Sequence, residues 1–329
     1  MLKSRICFLS SPGGHLAQLH SIRNIVPREN RFFVTQISKD SYTTLIDETA
    51  FFFNINVHKS NNLFSIQIGR ALTAFHILLQ SIRIISKNKF DYLVTTGAST
   101  GLVFCFLSWL LGKKIIFIET YAGITRFGKL LHLVSYKTFV QWPSHVGSHP
   151  DSVLIPPLYN CLEYEEYEIT SNCNFVYVSV GSTKYQFNRL FEMLDNAKNK
   201  FKGLKFIGQI GHSAYVPDFF SRKLFHKKNH MRLMNNCSIF ITHGGSSNLW
   251  DSEKLKVKTI VVPRLSKFGE HIDDHQLLLT EKYVKRSMAK VAHSSEEIVE
   301  AIKTEFNEEI DIEDVVNPIP IIIKQLETN

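Results

Sequence analysis

Short apolar segments alternate with stretches of helical periodicity along this chain, and the alternation runs through twice. In the first pass Ile6–Ser10, Arg31–Ile37, Ala50–Val57, Tyr92–Thr95 and Lys114–Ile118 are short and apolar, as buried strands are. Between them, His15–Val26 sets Leu16, Leu19, Ile22, Ile25 and Val26 at helical spacing, and Leu63–Lys87 and Thr100–Leu111 also read as helices. Strands alternating with helices build βαβ units around a parallel sheet. The pattern breaks over residues 143–172, where Pro143, Pro150, Pro156 and Pro157 precede the acidic run Glu163–Glu168. It restarts with strands at Asn174–Val180, Leu204–Ile207, Ser238–Thr242 and Thr259–Val262. The helices of this second pass are Phe187–Asn199, Gly245–Leu255, Asp274–Tyr283 and Ser295–Thr304. The expected organisation is α/β, with parallel-sheet domains at residues 1–160 and 161–329 joined by a proline-rich hinge and facing a cleft. Open parallel sheets bind ligands beyond the carboxyl ends of their strands, so the loops there are the place to look.

Composition sets the outer bounds. With 44% hydrophobic and 21% charged residues in 329, the chain can fill two cores, which excludes a disordered or collagen-like chain. Its 5 cysteines form no C-x-x-C pair, which argues against a zinc ribbon or a disulfide scaffold; with no signal-like start, they fit a reducing cytosol. No run reaches the roughly 18 apolar residues that span a bilayer, and Ala71–Ile85 and Gly101–Gly112 read as buried helices. Residues 1–164 carry 16 Lys+Arg against 8 Asp+Glu, whereas residues 165–329 carry 22 of each, so the whole excess of +8 lies in the first half. That half is expected to meet something anionic. Its basic residues are dispersed and no RNA- or DNA-binding pattern is visible, so a membrane face or phosphorylated lipid is favoured over nucleic acid.

Five loops carry the chemistry. Ser10–Gln18 (S-S-P-G-G-H-L-A-Q) follows the first strand and opens a helix: Gly13 and Gly14 allow a tight turn, and the helix start favours an anion. The loop lacks G-x-G-x-x-G spacing, which disfavours a dinucleotide cofactor. His15 in it is a candidate base or a capping residue, and Glu119, ending the strand at Lys114–Ile118, is a candidate to orient it or replace it. Gly181, Ser182 and Thr183 follow the first strand of the second domain. In the run Ile239–Asp251, a strand ends in His243, and Gly244, Gly245, Ser246 and Ser247 open a helix whose positive end suits a pyrophosphate, with Asp251 one turn on and able to reach a ribose. The last loop, Phe268–Gln276, sets His271 and His275 four apart near Glu270 and Asp274. It could ligate a metal, but with no third distant ligand a grip on sugar hydroxyls is the favoured reading, and no metal is expected.

These motifs resemble the GT-B glycosyltransferases, in which two Rossmann-like parallel-sheet domains hold a nucleotide sugar. More closely, S-P-G-G-H (Ser11–His15), I-E-T-Y-A-G (Ile118–Gly123), F-G-K-L-L (Phe127–Leu131) and V-Q-W-P (Val140–Pro143) resemble the acceptor-side, membrane-associated subunit of two-part enzymes that extend lipid-linked sugars. These include the UDP-GlcNAc transferase of dolichol-linked oligosaccharide assembly and the paired bacterial transferases of capsule and exopolysaccharide synthesis. V-G-S-T-K-Y-Q-F-N-R-L (Val180–Leu190), G-Q-I-G (Gly208–Gly211), T-H-G-G-S-S (Thr242–Ser247), V-V-P-R (Val261–Arg264) and F-G-E-H-I-D-D-H-Q resemble the donor-side subunit. Both halves occupy one chain here. The resemblance implies that Gly244–Ser247 hold a UDP diphosphate, that Asp251 takes the ribose, that Asp274 and Gln276 contact the donor sugar, and that His15 is the base. Ser247 stands where many relatives have Gly, and Asp251 where they more often have Glu.

The implied activity is inverting, metal-independent transfer of a hexose from a UDP-sugar to a polyprenyl-diphosphate-linked sugar, with no cofactor. The partners implied are the donor, the lipid-linked acceptor and an anionic membrane, with the chain peripheral on the inner face of the cell membrane. Two rivals are a UDP-sugar epimerase of the same fold and a non-catalytic enhancer of another transferase.

Overall fold

The computed structural model describes residues 2–37, 45, 47–54, 63–97, 101–120, 123, 126–146, 151–161, 175–201, 203–285, 289–304 and 317–327. The chain divides into two compact units, Met1–Glu163 with Val316–Asn329, and Tyr164–Val315.

The first unit is built on a seven-stranded parallel sheet: β1 (Ile6–Leu9), β2 (Arg31–Gln36), β3 (Ala50–Phe53), β4 (Tyr92–Thr95), β5 (Lys114–Glu119), β6 (Lys137–Val140) and β7 (Val153–Leu154), in the spatial order β3-β2-β1-β4-β5-β6-β7. Side chains alternate across a strand, so each strand feeds two cores. From β1, Ile6 and Phe8 pack on one face with Leu16 and Leu19 of α1 (Gly14–Ser21), while Cys7 and Leu9 pack on the other. That other face is covered by α2 (Leu63–Lys87), α3 (Leu102–Leu110) and α4 (Arg126–Val134), through Ile77, Ile84, Phe104 and Leu131.

The second unit repeats the plan. Strands β8 (Phe175–Ser179), β9 (Lys205–Gln209), β10 (Phe220–Arg222), β11 (Ile239–Thr242), β12 (Thr259–Val261) and β13 (Ala289–Val291) pair in parallel in the order β10-β9-β8-β11-β12-β13. Val176 and Val178 face α6 (Asn188–Lys198) and α10 (Ser295–Lys303), whereas Tyr177 and Phe240 face α7 (Lys227–Asn236). In both sheets the order reverses beside the first strand, between β1 and β4 and between β8 and β11. Such switch points are where doubly wound sheets open a crevice for ligands. The remaining helices are α5 (Pro143–Val146), α8 (Ser246–Lys254), α9 (His275–Val284) and α11 (Ile319–Glu327).

The helices at Ala71–Ile85 and Gly101–Gly112, expected to be buried, expose Leu72, Phe75, Leu79, Phe106, Trp109 and Leu110. Three further expectations differ from what is seen. Residues 143–161 hold α5, β7 and a 3₁₀ turn instead of a bare linker. The helix at His15–Val26 ends at Ser21 and continues as a 3₁₀ turn at Arg23–Ile25. Most consequentially, the last residues do not belong with the second domain as the division at 160/161 had it. The apolar face of α11 buries Ile322 and Leu326 in the core of the first unit, beside Ile25 and Phe33.

One half-buried group gives the second unit a pH dependence. His230 on α7 shares a 2.6 Å hydrogen bond through Nδ1 with the Tyr177 hydroxyl. Burial lowers its pKa from 6.5 to about 4, outweighing the hydrogen bond with Asn248. Since the unfolded chain then takes up the proton first, the stability owed to neutral His230 is intact above pH 6.5, falls between 6.5 and about 4, and levels off below. The loss amounts to about 3 kcal/mol. Thermal unfolding followed from pH 7 to 4 should show a shallower decline for His230→Gln than for wild type; parallel declines would refute this.

Candidate functional site

In the second unit, the loops after β8, β11 and β12, three neighbouring strands, meet at one end of the sheet. Gly181, with φ 72°, turns the chain out of β8, and a Cβ there would lie 3.0 Å from Cε1 of His243. A Cβ on Gly245 would overlap the same ring. Two glycines thus leave the space that the His243 ring fills. Burial first, and then the Arg264 cation, hold its pKa well below the usual value, so it is neutral. A Cβ on Gly244 would sit 2.5 Å from Oγ1 of Thr280 and 2.6 Å from the carbonyl of Gln276, which lets α9 pack directly against the turn.

Thr242 Oγ1 donates to the Ser179 carbonyl at 2.8 Å and accepts from Asn248 Nδ2 at 2.8 Å, locking the start of α8 to the ends of β8 and β11. No side chain caps α8, whose N-cap is Gly245, so its first N–H groups, with half-buried Ser246 and exposed Ser247, form an anion-ready terminus. Asp251 is half-buried in its second turn. Ser182 and Thr183 are exposed on the loop after β8.

The loop after β12 is held from below. Glu270 is buried, and its carboxylate accepts from Arg189 Nε and Nη2 at 2.8 and 2.9 Å and from the Leu265 N–H at 2.9 Å. Glu270 therefore shapes the loop, whereas sequence reading placed it among the donor contacts. Asp274 accepts from the Ser266 N–H at 2.7 Å and precedes α9. Gln276 is buried at 3% exposure, and its Oε1 has no hydrogen-bond partner among the described residues. A buried acceptor left open is costly unless a ligand donor meets it.

His271 packs on Tyr185 with ring centroids 4.6 Å apart and the rings tilted by 42°, and meets the His275 ring edge-on at 4.5 Å. Both imidazoles turn Nδ1 to one oxygen of Asp273, which makes His271, Asp273 and His275 the described cluster able to hold a metal ion. Burial, then the neighbouring His275 charge, lower the pKa of His271. Glu270 and Asp274, the acids considered with these histidines from the sequence, are turned elsewhere. Arg264 and Arg189 were missed as loop-forming residues, although Arg264 was visible as the one charge in an apolar V-V-P-R run.

In the first unit, Gly13 precedes α1 at φ 86°, ψ −140°, a conformation open to glycine, and Gly14 begins the helix. His15 is half-buried, with its Nδ1 3.0 Å from Oγ1 of Thr120, the residue after Glu119. Glu119 is 3% exposed, at the carboxyl end of β5. Its carbonyl accepts from Gln141 Nε2 at 3.2 Å, and Gln141 Oε1 accepts from the Leu158 N–H at 2.8 Å, so the V-Q-W-P glutamine splints this end of the sheet. Ser10 and Thr96, after β1 and β4 at the switch point, are buried hydroxyls whose oxygens lack hydrogen-bond partners among the described residues.

Residues 175–314 match the glycosyltransferase family 28 C-terminal domain. They lie within the second unit and contain every candidate donor residue named above. No curated protein matches the chain. Among solved structures, the chain resembles MurG of Acinetobacter baumannii, with TM-score 0.66, 12% identity, and 99% of this chain and 100% of that one covered. It also resembles the glycotransferase of kitacinnamycin, with TM-score 0.68, 12% identity, and 100% and 99% covered. A third likeness is the UDP-GlcNAc 2-epimerase of Neisseria meningitidis bound to UDP-GlcNAc, with TM-score 0.67, 11% identity, and 99% and 100% covered. At these identities the likenesses establish the fold, GT-B, with two parallel α/β domains.

Proposed function

We propose that this chain is an inverting, metal-independent glycosyltransferase that moves a hexose from a UDP-sugar to a sugar carried on a polyprenyl diphosphate, in surface polysaccharide synthesis. The observation that carries the reading is the switch point of the second unit. There an uncapped helix start, two glycines packed without room for a Cβ and an open buried amide oxygen converge within a glycosyltransferase-family domain. The N–H groups of α8 and the hydroxyls of Ser246 and Ser247 take the diphosphate, and Asp251 the ribose. Gln276 and Asp274 meet the sugar. As the sugar–phosphate bond breaks, negative charge grows on the leaving diphosphate, and fixed dipoles stabilise it without reorganising. In the first unit, His15 or Glu119 takes the proton from the acceptor hydroxyl as it attacks the anomeric carbon.

UDP release, measured over a panel of UDP-sugars with membrane extract as acceptor, should continue in EDTA. Turnover lost in EDTA and restored by manganese or magnesium would overturn the metal-independent reading and bring forward His271, Asp273 and His275. The epimerase likeness keeps one alternative in view: an epimerase alters the free UDP-sugar and needs no acceptor.

A lipid-borne acceptor calls for a membrane-facing surface, and the first unit supports one. Among the described residues no helix is long and apolar enough to cross a membrane. Yet α2, α3 and α4, adjacent on one sheet face, expose Leu72, Phe75, Leu79 and Ile82, then Phe106, Trp109 and Leu110, then Phe127, Leu130 and Leu133. These helices contain no acidic residue and include Arg83, Lys87 and Lys129. Apolar surface on this scale marks an interaction site, and its basic residues favour anionic lipid on the cytoplasmic leaflet. The protein should sediment with anionic vesicles more than with neutral ones, and less as salt rises. Leu110→Ser with Leu133→Ser should weaken this without changing the circular dichroism. Equal binding to neutral and anionic vesicles, or no effect of the double variant, would refute it.

A further inference from the structure

Arg264 is fully buried, at 0% exposure. Its Nη2 donates to the carbonyls of Val180 and Tyr185 at 3.0 and 3.2 Å, and its Nη1 to Oγ1 of Thr183 at 2.9 Å. The guanidinium lies over the Phe187 ring at 5.3 Å, and its Nε has no hydrogen-bond partner among the described residues. No described carboxylate forms an ion pair with it, since Glu270, the buried acid of the same loop, is taken by Arg189 and the Leu265 N–H. Burial lowers the pKa to about 10, which leaves the group charged near neutrality.

A buried cation with no direct ion pair is expensive to keep, even with the Glu270 charge near enough to favour it, and well-packed apolar residues would hold a loop at lower cost. The charge has a use if an anion arrives above it. All its bonds but one go to carbonyls; the exception is Thr183, whose side chain is exposed. Because Oγ1 accepts from the guanidinium, the hydroxyl proton is directed away from Arg264, as a donor polarised by a full positive charge. The loop that carries Thr183 begins at Gly181, which packs on His243 beside Gly245 and the start of α8.

We infer that Arg264 is a positioning residue that works through the Thr183 hydroxyl, supplying from beneath the loop the counter-charge for a nucleoside diphosphate at the α8 terminus. The inference rests on the donor-site reading above and deepens it: recognition of the diphosphate is separable from recognition of the nucleoside.

The test compares UDP with uridine, by competition binding to the full chain, for wild type, Arg264→Gln, Arg264→Lys and Thr183→Val. Arg264→Gln is expected to weaken UDP by about 10- to 100-fold, the worth of a charge-assisted hydrogen bond, while uridine changes little. Arg264→Lys, which keeps the charge without the fork, should fall between. Thr183→Val should weaken UDP selectively, and combined with Arg264→Gln should add little more, as expected of groups in one pathway. Equal losses for UDP and uridine, or additive effects of the two substitutions, would make Arg264 a purely structural residue and overturn the inference. Should Arg264→Gln fail to fold, Arg264→Lys and Thr183→Val decide by the same criterion. Wild type that binds neither ligand would remove the donor-site reading itself, a result distinct from selective failure of the variants.

Discussion

His15→Ala is expected to lower kcat by about 10²-fold or more while UDP affinity stays nearly unchanged. The imidazole lies at the start of α1, next to the switch point of the first sheet, and its Nδ1 is 3.0 Å from the Thr120 hydroxyl. An imidazole oriented by a neighbouring hydroxyl is placed to exchange a proton, which imidazoles do near neutrality. The proposed donor loops belong to the other unit, so a loss confined to kcat separates a base from a donor contact. Glu119 supplies the competing outcome. Should it be the base, Glu119→Gln lowers kcat and His15→Ala mainly weakens the acceptor. A folded His15→Ala enzyme with near-normal kcat would remove His15 from the reaction.

Gly245→Ala should abolish measurable UDP binding. The backbone at Gly245, φ −81° and ψ 129°, is open to any residue, so the penalty is one of space. The added methyl overlaps the His243 ring, which is buried and lies close to Gly181. Overpacking of this kind costs about 1–3 kcal/mol and displaces the turn whose N–H groups are proposed to hold the phosphates. Adding His243→Ala should restore the melting temperature by making room. A UDP titration on Gly245→Ala that matches wild type would show that the turn does not hold the nucleotide.

The parallel sheets and the ligand-side loops were legible because they rest on local signals: short apolar runs, glycine pairs and helical spacing. What escaped depends on residues far apart in the chain. Glu270 reads as a donor-loop acid until Arg189, on α6 after β8, is seen to claim both its oxygens. The four-residue spacing of His271 and His275 would set both on one face only if a helix ran through both. The helix begins at His275, so residues 271–274 form a turn, and the turn brings Asp273, not Asp274, to the two rings. The return of α11 to the first unit was hidden because an apolar stripe at the end of a chain shows that it needs a partner without showing which.

Incubation of the protein with a UDP-sugar labelled in the hexose and a polyprenyl-diphosphate-linked sugar, followed by organic extraction, tests the central claim most directly. The account predicts label in the lipid fraction, with one UDP released per hexose transferred, in EDTA as in buffer. An altered free UDP-sugar with no label in the lipid, or no turnover with any UDP-sugar, would contradict it.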